Sequence, residues 1–125
     1  MDVQKQSRYW KKSAEEDLEA GRSLLKNGHY RHSLFFAHLA LEKMLKANVV
    51  KQTKEIPPRT HNLERLAELA GIKFSSEQEK FISQFRVYQL LGRYPDMAQA
   101  SIDSETAHKR FSQAKEMIEW LKNQL

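Results

Sequence analysis

Arg86 and Arg93 stand seven residues apart in a stretch that closes on Arg93-Tyr94-Pro95-Asp96. Seven residues make two helical turns, so both guanidinium groups fall on nearly the same face and can hold one anion, such as a phosphate, between their planar forks. Tyr88 and Tyr94 add rings that stack on a nucleotide and hydroxyls that donate to it, and Asp96 completes the polar set. The competing structural role is a helix C-terminus, in which Arg93 caps the last carbonyls, Pro95 stops the helix and Asp96 pairs with an arginine.

Two histidines offer proton chemistry. His38 and Glu42 lie four residues apart, with Lys46 one further turn along, so the imidazole and the carboxylate can form an acid–base pair or order each other. The plainer role is a partly buried histidine satisfied by that glutamate. His61 sits in Pro58-Arg59-Thr60-His61-Asn62 at the mouth of a helix, where backbone amides favour an anion and Arg59 adds charge. There the alternative is a helix start capped by Thr60 or Asn62, with His61 packed on the end of the fold. His29 and His32 have helical metal-ligand spacing but no third ligand near them in sequence, so no metal and no cofactor are expected. Glycine-rich phosphate loops, nucleophilic serine motifs and zinc-protease motifs are absent.

These residues need a scaffold, and 125 residues suffice for one domain, residues 1–125, that buries roughly two-thirds of its unfolded surface. Lys and Arg total 21 against 16 Asp and Glu, a formal charge of +5 that attracts polyanions over short range. Both signs are mixed along the chain, as on a well-solvated helical surface. The lack of cysteine excludes disulfides, thiolate metal sites and cysteine nucleophiles. Met1 to Arg8 is polar, and no run approaches the roughly 18 apolar residues that span a bilayer, so a cytoplasmic protein is expected.

Apolar spacings of three and four between few glycines and prolines predict an all-α domain. A first helix runs from about Ser7 to Asn27, with Trp10, Ala14, Leu18, Gly21 and Leu25 inward and Gly28 ending it. A second, from about Tyr30 to Thr53, is apolar over most of its circumference and should be central. Pro57-Pro58 forces a loop. A short helix follows from about Asn62 to Ala70. Ser76 and Glu79 form a capping box for a fourth helix that continues to Gly92, and Asp103 or Ser101 caps the last. The expected architecture is an up-and-down four-helix bundle with a short additional helix.

Several segments in this order resemble the HEPN domain family, the higher eukaryotes and prokaryotes nucleotide-binding domain. They are Trp10 with Ala14-x-x-Asp17-Leu18, Gly28-His29-Tyr30, the run from Phe36 to Ala47, Arg59-Thr60-His61-Asn62-Leu63, and Arg93-Tyr94-Pro95-Asp96. The resemblance implies a homodimeric helical bundle, often encoded beside a minimal nucleotidyltransferase in toxin–antitoxin modules. It also implies, for many members, metal-independent ribonuclease activity from an arginine followed after four to six residues by histidine, contributed by both subunits. Counting from Arg86, those three slots hold Leu91, Gly92 and Arg93, and arginine cannot exchange a proton near neutral pH.

Three functions follow. The first is a dimer whose groove, lined by Arg86, Tyr88, Arg93 and Tyr94 with Arg59, Lys46 and Asp96 around it, binds a nucleotide or RNA phosphate and works with a nucleotidyltransferase. The second is a ribonuclease in which Arg86 and Arg93 stabilise the phosphorane while His38 or His61 moves protons. The third is a protein-interaction module without catalysis.

Overall fold

A computed structural model describes residues 1–94 and 101–125. Among these residues the chain forms six helices and no strand: α1 (Val3–Lys26), α2 (Tyr30–Thr53), α3 (Leu63–Ala70), α4 (Ser76–Phe85), α5 (Val87–Arg93) and α6 (Ser104–Asn123). The result is the all-helical bundle expected.

α2 is the axis of the fold because its side chains leave it almost no polar face. Leu34, Ala37, Leu41, Met44 and Leu45 are all fully buried, and α1, α3, α5 and α6 pack around it. Burial of each such leucine is worth about 1.5–3 kcal/mol. Gly28, at φ 79°, reverses the chain between α1 and α2. Gly21 lets those two helices meet closely: the buried Ser33 hydroxyl donates to the Gly21 carbonyl at 2.7 Å, and a Cβ at Gly21 would stand 3.1 Å from that serine's own carbonyl oxygen. At the other end of α2, Asn48 donates to the carbonyls of Met44 and Leu121, which ties α2 to α6.

Four helix starts follow from side chains that accept orphan amides, the first being Asp2, which caps α1 through Lys5 N. Asn62 caps α3 through Arg65 N, Asp103 caps α6 through Thr106 N, and Ser75 caps α4 through Gln78 N. The last differs from the capping box expected at Ser76 and Glu79. Ser-x-x-Gln and Ser-x-x-Glu are offset by one residue here, and the earlier frame lengthens the helix while Phe74 turns onto Trp120, with ring centroids 5.6 Å apart.

A larger departure comes at Arg86, where the helix expected to run unbroken to Gly92 splits into α4 and α5. Gln89 N turns back to Arg86 O at 3.2 Å, an i to i+3 closure that tightens the chain. Phe85 and Tyr88, on either side of this turn, are both in the core, edge to face with centroids 4.9 Å apart. Together α4 and α5 take the place of the fourth bundle helix.

Candidate functional site

One side of α2 carries a polar seam of His38, Glu42 and Lys46, each four residues after the last and all buried. Glu42 is its hub. With only 4% of its side chain exposed, it accepts from Lys46 Nζ through Oε2 at 3.2 Å and faces His61 Nδ1 through Oε1 at 2.8 Å. A buried carboxylate persists only with donors on its oxygens, and both of these oxygens have one. The Lys46 ammonium is 5.1 Å from the centroid of the Trp10 ring, which adds a cation–π contact from α1.

His61 reaches Glu42 from the loop before α3. Thr60 and Asn62 on either side of it make local bonds: Thr60 Oγ1 accepts from Asn62 N at 3.1 Å, and Asn62 caps the helix. The imidazole is thus fixed at the helix mouth with 49% of its side chain exposed. Its outer nitrogen, Nε2, lies 3.3 Å from Arg93 Nη2. Arginine is a donor only and a carboxylate an acceptor only, so the proton sits on Nδ1 and the lone pair on Nε2.

Arg93 is aimed by close packing at the end of α5. Gly92 lies against Phe35 so tightly that a Cβ there would overlap that side chain from Cβ to Cδ1. Arg31 Nη1 donates to the carbonyls of Leu91 at 3.0 Å and Gly92 at 3.2 Å, so α2 itself caps α5. The capping role weighed for Arg93 therefore belongs to Arg31, and Arg93 is free to lie 5.6 Å from the centroid of the Phe35 ring and to reach His61.

The remaining candidates fall in different places. His38 does not pair with Glu42; its ring is fully buried, parallel to Phe85 with centroids 6.3 Å apart, and neither nitrogen has a partner among the described residues. Burial, helped by the nearby His61 and Arg93, pushes its pKa down to about 4, so it is neutral at physiological pH. Arg86 is exposed and 4.0 Å from Glu64 on α3, while the Arg93 guanidinium reaches His61. Tyr88 is a core residue. Tyr94 is 51% exposed beside Arg93, and Arg59 is exposed two residues before His61. Asp96 lies outside the described residues.

Sequence spacing missed the central contact, Glu42 to His61 across 19 residues. The available signal was a glutamate on an otherwise apolar helix, which demands a donor from elsewhere in the fold. A hollow of about 530 Å³ between α3 and α4 holds none of the basic candidates; Glu64, Glu68 and Glu79 line it together with Arg65. Among the described residues no helix is long and apolar enough to cross a membrane, and no group of three His, Cys, Asp or Glu side chains is placed to hold a metal ion.

No curated protein sequence matches the chain significantly. Two solved structures share its fold. TT1696 from Thermus thermophilus superposes with a TM-score of 0.81 at 20% identity over 96% of this chain and 98% of its own. ST0689, described as an archaeal HEPN homologue, gives 0.75 at 22% over 95% and 97%. At these identities the likeness is one of fold. The sequence model of the HEPN domain matches residues 7–124, nearly the whole length, and the chain belongs to the HEPN domain family.

Proposed function

We propose that this protein binds the phosphate of a nucleotide or RNA at the edge formed by Arg93 and His61. The observation that carries the reading is their convergence: a guanidinium and a half-exposed imidazole, 32 residues apart in sequence, meet at 3.3 Å over a buried carboxylate that orients the ring. Arg59 adds positive charge in the same loop and Tyr94 a ring for stacking, within a chain of net charge +5. Arg86 is a peripheral contact in this reading and Lys46 a support behind Glu42. The protein works in the cytoplasm as a homodimer beside a minimal nucleotidyltransferase in a toxin–antitoxin module. Support for a partner surface comes from Val87, Leu90 and Tyr94, large side chains exposed on or next to α5.

A ribonuclease reading is favoured by one specific feature, the His61 Nε2 lone pair directed at Arg93 on the half-exposed side of the ring, which sets a proton acceptor beside a phosphate-binding guanidinium, as such cleavage needs. Binding and cleavage of a labelled structured RNA, with chelator present, test both. Arg93→Ala should weaken binding about 10- to 100-fold, the worth of a charge-assisted hydrogen bond, and Arg86→Ala should weaken it less. Unchanged affinity in Arg93→Ala would refute the site. Cleavage lost in both Arg93→Ala and His61→Gln would make the protein a ribonuclease, and neither binding nor cutting by wild type would leave the interaction module.

A further inference from the structure

We propose that anion binding at this edge takes up one proton at His61 Nε2, and that buried Glu42 is the positioning residue responsible. The inference rests on the phosphate-binding reading above and adds to it how the site is regulated. In the free protein Nδ1–H is committed to Glu42, and Nε2 accepts from Arg93. A phosphodiester oxygen is an acceptor only, so it cannot approach Nε2 while that nitrogen holds a lone pair. It draws the Arg93 N–H groups to itself and so removes the donor from Nε2. One proton from solvent then binds Nε2, and the imidazolium becomes a second donor beside the freed guanidinium. No covalent bond other than N–H forms or breaks, and the anion's charge is met by the charge that enters.

The surroundings permit this step. Glu42 from α2 on one side of the ring and the anion on the other both favour the imidazolium, while Arg93 from α5, Lys46 from α2 and Arg59 in the same loop oppose it. The anion's arrival adds to the side of this balance that favours the charged ring. His38, the other titratable ring facing this region, is held neutral by burial and does not exchange protons in the same window. Without the Glu42 carboxylate, nothing would hold the proton on Nδ1. The ring could then turn to its other tautomer, donate to the anion from a neutral Nε2–H and bind without taking up a proton.

The test uses an oligouridylate tetramer without terminal phosphates, since phosphate monoesters titrate near pH 6 themselves. Calorimetric titration near pH 8 in two buffers of different ionisation enthalpy should give an uptake approaching one proton, and Kd should rise toward tenfold per pH unit through the alkaline range. His61→Gln should bind more weakly with a flat pH profile. Glu42→Leu, made alone and with Lys46→Met to preserve stability, should bind with a flattened profile. Wild-type binding with no buffer dependence and a flat Kd would overturn the inference and leave phosphate binding standing. A pH dependence retained in His61→Gln would place the proton elsewhere and overturn it as well. No binding at any pH down to 5.5 would end both readings.

Discussion

Removing Glu42 should injure the fold because of what it leaves behind. The Lys46 side chain is 8% exposed and that of Glu42 4%, so Glu42→Leu strands an ammonium in a mostly dry setting. Breaking a buried pair from one side typically costs about 3–5 kcal/mol. Here the lower end applies, because the Trp10 ring keeps about 1 kcal/mol of attraction and the lysine stem can swing its head toward water. His61 loses little, being half exposed with water as a substitute partner. A loss of about 3 kcal/mol in a chain of this size lowers Tm by about 10 °C. Adding Lys46→Met removes the stranded charge, and the double variant should return to within about 1 kcal/mol of wild type. Urea unfolding at pH 7 of wild type, both single variants and the double would give a coupling of at least about 2 kcal/mol. A Glu42→Leu loss below about 1 kcal/mol, or additive single effects, would mean that the seam is wet and the pair is not a buried one.

Two further outcomes follow, one from the same seam and one from the contact of α5 with Phe35. The folded pKa of His38, about 4, lies below the ordinary 6.5, so the unfolded chain takes its proton first. The stability gained by keeping the ring neutral is therefore complete above pH 6.5 and lost as pH falls toward 4, a change of about 3 kcal/mol. Denaturation curves at stepped pH should show a shallower acid loss in His38→Leu, and parallel curves would exclude His38 as the sensitive group. Gly92→Ala, which in an exposed helix would gain up to about 1 kcal/mol, should instead lose about 1–3 kcal/mol through overlap with Phe35. It should also weaken oligonucleotide binding by pushing Arg93 off its line, and a variant more stable than wild type would refute the close packing.

The fold was legible because it depends on local rules. Periodicity placed α2 at Tyr30–Thr53, as found, and made it central, since a helix apolar almost all round has nowhere else to go. Asn62 and Asp103 were readable as caps from their position before apolar runs. The break at Arg86 was not, because no glycine, proline or other local signal marks it. The site was half legible for the same reason. His61, Arg93 and the seam residues stood out as types, yet spacing coupled Glu42 to His38 on its own helix and Arg86 to Arg93 on theirs. The fold instead couples Glu42 to His61 and His61 to Arg93, pairs separated by 19 and 32 residues.

That exchange of partners bears on what the missing Arg-x(4–6)-His spacing means. Such spacing is one way to bring an imidazole against a guanidinium: both ride on one helix, and the local turn sets the distance. Here the guanidinium ends α5, held by Arg31 on the last carbonyls and by Phe35 under Gly92, while the imidazole comes from a loop that Asn62 and Glu42 anchor. The two mount on separate elements, both fixed to α2, so their separation is set by packing against one rigid helix rather than by a helical turn. Chemistry at a phosphate responds to where donors and lone pairs stand, not to how many residues lie between them. A search for this arrangement in other chains would therefore begin from the α2 glutamate, the buried group that fixes which nitrogen of the imidazole faces the arginine.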